Sequence, residues 1–123
     1  MRDRNTVYPI TFVYELIDPR DGKPFYVGIT NNPKMRLYQH TTRSFKSRGG
    51  HFSLSQRRIQ EIRNAGHNPT MNILEQLENV TWREAENCEM YWMHYRWYID
   101  GIHLTNIRSG NSEIRDEYIR KHR

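Results

Sequence analysis

The sequence predicts a small α/β domain, in which a short sheet of three strands is flanked by helices in the order ββααβα with a further helix at the C-terminus. Three observations carry that expectation. Two short alternating segments flank a turn-rich stretch near the start, helix-period apolar stripes follow, and a helix-start signature lies late in the chain at Thr81 to Glu84. With 123 residues and 36% hydrophobic content, the chain can build one core but not two, so residues 1–123 read as a single domain.

Each element has a local reason. From Thr11 to Asp18, Phe12, Tyr14 and Leu16 alternate with Val13, Glu15 and Ile17, the period of a strand with two distinct faces. Asp18 to Pro24 supplies turn residues, and Phe25 to Thr30 is a second strand, so the two form an antiparallel hairpin. On that second strand Tyr26, Gly28 and Thr30 are expected to share a face opposite Phe25, Val27 and Ile29.

Asn32 followed by Pro33 is a helix start: the amide caps, and proline at the first helical position loses no needed N–H. A helix is expected to about Thr41. Leu54, Ile59, Ile62 and Ala65 then mark an apolar stripe of a second helix that stops at Gly66. Met71 to Leu77 reads as the third strand. Thr81, Trp82, Arg83 and Glu84 match a capping box, opening a helix that runs to about Ile99 with Ala85, Cys88, Trp92 and Ile99 toward the core. Residues 101–110 read as a loop and 112–122 as a charged terminal helix.

Composition limits function. No apolar run approaches the roughly 18 residues of a membrane span, and the polar start lacks the apolar core of a signal peptide, so a soluble, cytoplasmic chain is expected. Cys88 is the only cysteine, which excludes an internal disulfide and a Cys-x-x-Cys zinc pair. The net charge of +5 is concentrated: Lys34 to Arg63 holds eight Lys or Arg residues against one acid, Glu61. Phosphate backbones bind such surfaces by counterion release, which makes nucleic acid the first partner to consider and Arg43, Lys46, Arg48, Arg57 and Arg58 its candidate contacts. A solvated basic face accounts for the same charge as well.

Four features carry candidate chemistry. Tyr14 and Tyr26 lie one on each hairpin strand, with Gly28 leaving space beside Tyr26. Arg36 and His40 are four apart and share a helix face; a guanidinium fits phosphate oxygens and an imidazole carries a proton near neutral pH. Glu89 lies one turn from both Ala85 and Trp92, at the interior edge of its helix, where a carboxylate needs a cation or a salt bridge. Asn106 is a loop amide suited to satisfying nearby backbone. Singly, each has a plain structural reading as strand tyrosine, helix surface, ion pair or loop amide.

As an ordered set they resemble the GIY-YIG nuclease superfamily. Phe12, Val13, Tyr14 and Tyr26, Val27, Gly28 stand where that family has its two naming motifs. Arg36 follows Tyr26 by ten residues and His40 by fourteen, and Ala85, Glu89, Trp92, Met93 resemble the helix that carries the family's metal-binding Glu. Leu104 to Asn106, with Ser109 and Gly110, resemble its closing segment, so the likeness covers about residues 11–110. Phe12 replaces the first Gly, Ile29 stands where some members carry a Lys, and Ser109 replaces a common Gly.

The resemblance implies a largely antiparallel three-stranded sheet and a divalent-metal-dependent endodeoxyribonuclease that cuts one strand per active site. Glu89 then binds Mg²⁺ or Mn²⁺, Tyr26 positions or deprotonates water with Tyr14 as its partner or the alternative base, Arg36 stabilises phosphoryl charge, His40 orients the nucleophile or relays its proton, and Gly28 and Asn106 support the site. DNA is the expected partner, RNA stays open, and target choice falls to the basic segment, a homo-oligomer or a separate targeting subunit, or is slight. The alternative is a non-catalytic nucleic-acid-binding module that retains the fold; an interaction domain with incidental charge is a third reading.

Overall fold

The computed structural model describes residues 3–42 and 54–106. The candidate contacts Arg43, Lys46 and Arg48, the segment Ser109–Gly110 and the expected terminal helix at 112–122 lie outside the described residues. Six elements follow in order: β1 (Val7–Asp18), β2 (Lys23–Thr30), α1 (Pro33–Thr42), α2 (Leu54–Asn64), β3 (Thr70–Thr81) and α3 (Trp82–Tyr98). The sheet has the order β2-β1-β3, and both pairings are antiparallel.

The hairpin turn forms because Asp18 caps it. Its carbonyl accepts from the Gly22 N–H at 2.8 Å, its carboxylate accepts from the Arg20 N–H, and Gly22 takes the positive φ of 73° that a side chain would resist. Asn32 caps α1 as expected, its side-chain oxygen accepting from the Met35 N–H at 3.2 Å. The capping box at Thr81 and Glu84 is complete. α2 ends in a Schellman arrangement, with Gly66 at φ 84° and the His67 N–H reaching the Ile62 carbonyl.

β1 is central, and helices cover both of its faces. On one side Val13, Val27 and Leu77 pack against Ala85 and Met93 of α3, with Leu104 closing the cluster. On the other, Tyr14, Leu16 and Phe25 pack against Ile59 and Ile62 of α2 and Leu37 of α1. The chain is therefore a three-layer sandwich with two small cores. Arg63 of α2 donates to the Thr41 carbonyl at the end of α1, tying the two helices together.

Four expectations need correction. β1 begins at Val7 and β3 runs from Thr70 to Thr81, longer than the alternating segments indicated, because the ladder, in register from Val7↔Thr81 onward, forms between backbones whatever the side chains. Phe25 does not share a face with Val27. The register jumps between Leu16↔Tyr26 and Ile17↔Pro24, which leaves Phe25 as the extra residue of a bulge and turns it into the Tyr14 core. In α3 the buried positions are Ala85, Met93 and His94, whereas Ile99 sits at the C-cap and is 55% exposed. In α2 only Ile59 and Ile62 are buried; Leu54 and Ala65 face solvent. Among the described residues no helix is long and apolar enough to cross a membrane.

Candidate active site

Strand pairing builds the first half of the site. Tyr14 lies opposite Gly28, and Tyr26 opposite Leu16, so both tyrosines reach the face covered by α1 and α2. Their rings stand 6.0 Å apart over the strip of sheet that Gly28 leaves bare. A Cβ at position 28 would meet the Tyr14 Oη at 2.7 Å and the Tyr26 Cε1 at 2.8 Å, so the glycine is a condition for the tyrosine pair rather than a turn residue.

α1 supplies the second half. His40 Nε2 lies 2.8 Å from the Tyr14 Oη, and the His40 ring packs edge-on to both tyrosines. Arg36, one turn earlier, donates from Nε to the same Tyr14 oxygen at 3.4 Å and from Nη1 to Gln39 Oε1 at 3.2 Å. In the Nδ1–H tautomer of the neutral His40 ring, Nε2 accepts from the Tyr14 hydroxyl while Arg36 donates to the same oxygen.

Electrostatics agree with that assignment. Burial, and after it the Arg36 cation, push His40 down to about 4, so the ring is neutral and an acceptor near pH 7. Burial and the neighbouring Tyr26 hold the Tyr14 hydroxyl well above the ordinary tyrosine range, with Arg36 opposing them. For Tyr14 in the resting site, dehydration outweighs Arg36. What the cluster offers is a hydroxyl poised between a proton acceptor and a cation.

Glu89 stands apart, on the other side of the sheet. Burial, and after it Glu86, push its carboxyl up to about 7, and among the described residues nothing hydrogen-bonds to it or forms an ion pair with it. Glu86, one turn away, is already engaged by Arg4 at 2.8 Å. Trp82, Glu86 and Glu89 fall along one stripe of α3, and that stripe begins at a cleft of about 290 Å³ lined by Arg36 and Gln39 of α1 and by Trp82. Arg36 is therefore a wall common to the tyrosine cluster and to the cleft from which the Glu89 stripe starts.

A divalent cation fits this chemistry in a limited way. Among the described residues no group of three or more His, Cys, Asp and Glu side chains could hold a metal by itself, which does not suit zinc. A lone, dehydrated carboxylate suits Mg²⁺ or Mn²⁺, which keep water and take phosphate oxygens to complete their shells.

The remaining candidates divide. Asn106 accepts from the Val27 N–H and donates to the Val27 carbonyl, while Thr105 donates twice to the Phe25 carbonyl. β2 is an edge strand, so residues 105–106 stand in for a missing neighbour along its outer edge and hold the backbone on either side of Tyr26. Arg57 is exposed on α2 and available to a phosphate. Arg58 is not comparable: it donates from Nε to Asp18 at 2.9 Å, approaches Asp21 at 3.6 Å and lies over the Phe25 ring, an internal structural engagement. Gln39 and Trp82 were not singled out from sequence. Gln39 follows Arg36 by three residues, a spacing that could have marked it; nothing local marks Trp82 as a cleft wall.

The fold, the paired tyrosines and the α1 cation meet an independent comparison. A family model, the GIY-YIG catalytic domain, matches residues 10–94, well over half of the 123 residues, and the chain belongs to the GIY-YIG nuclease superfamily. No curated protein and no solved structure matches it.

Proposed function

We propose that the chain is a divalent-metal-dependent endonuclease that hydrolyses phosphodiester bonds in DNA, one strand per active site. The observation that carries this reading is the Tyr14 hydroxyl, held between His40 Nε2 at 2.8 Å and Arg36 Nε at 3.4 Å. Proton acceptor, hydroxyl and fixed cation at one point are the parts that phosphoryl hydrolysis needs.

In this mechanism Tyr26 orients the attacking water beside His40. The water proton passes to the Tyr14 oxygen as the Tyr14 proton passes to His40, so that no free phenolate is required and the high proton affinity of Tyr14 is not an obstacle. The water oxygen bonds to phosphorus, the bond to the leaving sugar oxygen breaks, that oxygen takes a proton from solvent, and His40 returns its proton to solvent to restore the neutral ring. Arg36 is drawn toward the phosphoryl oxygens as their charge grows. Glu89 is the residue that holds the cation, with Mg²⁺ or Mn²⁺ the preferred ions. The chemistry supplied by a cation at Glu89 is Lewis-acid stabilisation of the phosphoryl charge. Gly28 and Asn106 keep the tyrosines in register. Arg57, with Arg43, Lys46 and Arg48, supplies backbone contacts to the substrate.

A second reading is a binding module that does not cleave, in which Arg36 at the cleft and the exposed Arg57 hold backbone phosphates without turnover. Nicking of supercoiled plasmid separates the two. The nuclease reading expects nicking in Mg²⁺ or Mn²⁺, none in EDTA, and none by Glu89→Ala. Salt-sensitive DNA binding with no turnover in any metal would establish the binding module instead.

A further inference from the structure

We propose that the cleft between α1 and the start of α3 is a nucleotide subsite, in which Trp82 stacks on an unpaired base next to the phosphate held by Arg36. The inference rests on the nuclease reading for that phosphate, but its test needs binding only.

The walls have the chemistry such a ligand requires. Asn32, Met35, Arg36 and Gln39 line it from α1 and its cap, Ile29 and Thr30 from the end of β2, and Trp82 from the start of α3. Because Arg36 also reaches Tyr14, a phosphate on its guanidinium places the adjoining sugar and base in the cleft rather than in bulk water. The backbone of Trp82 is set by the Thr81 cap of its helix, and Tyr8 packs against the indole edge-on at 5.8 Å and 70°. A tryptophan so held loses little freedom on stacking, and every base has a face to offer it. With their oxygens engaged by the Met35 N–H and by Arg36, the Asn32 and Gln39 amides turn their NH2 donors to the base edges.

Size selects the substrate class. A volume of about 290 Å³ lies at the lower end of small-ligand pockets, enough for one base and its sugar and too little for a base pair. A base already unpaired enters without the cost of leaving a stack, so a strand with an unpaired base beside the cut is preferred over regular duplex.

The test uses the full chain in EDTA and short single strands carrying 2-aminopurine at each position in turn, with binding followed by anisotropy of a distant dye. Stacking on Trp82 is expected to quench the emission at one position on binding. Trp82→Ala is expected to restore that emission and weaken binding about tenfold, whereas Trp82→Phe keeps most of both. Met35→Glu, at a 52% exposed rim position where folding is not at stake, is expected to weaken binding by charge repulsion and to reduce the quench. The subsite is overturned if the strands do not bind, if no position is quenched, or if the quench survives unchanged in Met35→Glu and in folded Trp82→Ala. A position-specific quench in a protein that nicks nothing in Mg²⁺ or Mn²⁺ keeps the subsite and removes the nuclease reading.

Discussion

Asp18 and Glu89 are both carboxylates taken out of water, on opposite sides of the sheet, and the chain treats them in opposite ways. Asp18, with 2% of its side chain exposed, accepts from its own loop backbone, from Arg20 at 2.8 Å and from Arg58 at 2.9 Å. Arg20 hydrogen bonds, working against burial, hold its carboxyl well below the ordinary range. Glu89 finds no counter-charge among the described residues, and burial, with Glu86 after it, pushes its carboxyl up to about 7. An acid whose partners are built into the fold is a structural joint, here between the hairpin turn and α2. One without such partners keeps its proton to higher pH, and in the proposed mechanism that is the acid a divalent cation would engage.

The largest effect expected from this contrast is on Glu89→Gln. Metal-dependent nicking should fall roughly 10²–10³-fold, while the thermal midpoint in EDTA at pH 8 should rise rather than fall. A drop in midpoint together with retained nicking would erase the distinction between the two acids. The same charge removal at Asp18 should act in the opposite sense. Asp18→Asn leaves Arg20 and Arg58 without their partner and should cost about 2–3 kcal/mol in urea unfolding, less than a fully buried pair because both guanidinium groups are about one-third exposed.

The two acids also predict opposite pH slopes. Glu89 has a folded value above its unfolded one, so the native state holds the extra proton, and stability falls as pH rises from about 4.5 to about 7. For Asp18 the folded value is depressed; its contribution is complete above about pH 4 and is lost as pH falls toward the folded value. Unfolding curves in EDTA should therefore show a decline between pH 4.5 and 7 that Glu89→Gln removes, and an acid-side loss that Asp18→Asn removes.

A smaller effect tests geometry in place of charge. Gly28→Ala brings a methyl group to within 2.8 Å of both tyrosine rings without altering any charge. Separation of the rings should cost about 1–3 kcal/mol and reduce nicking, with the pH slopes of both acids unchanged.

Much of this site was legible because its residues are local. Arg36 and His40 share a face by helix period, Tyr14 and Tyr26 lie on a hairpin whose turn signals are strong, and the Thr81 capping box marks the helix of Glu89. Long-range partners left no such mark. Glu15 is 4% exposed because Arg96 of α3 and Asn72 of β3 come to it, and the alternation of β1 reads it only as a polar position. Arg58 reads as one more charge in a basic run until Asp18, forty residues earlier, claims it.

By itself the sequence determined the element order, the caps, the hairpin and the identity of the candidate catalytic side chains, since each depends on neighbours within a few positions along the chain. Only the tertiary structure decided the bulge that moves Phe25 into the Tyr14 core, the direction of the His40 and Tyr14 shifts, and which acids find partners. Those depend on how much water is excluded and which distant charges arrive, and dehydration is a property of packing that no local spacing encodes.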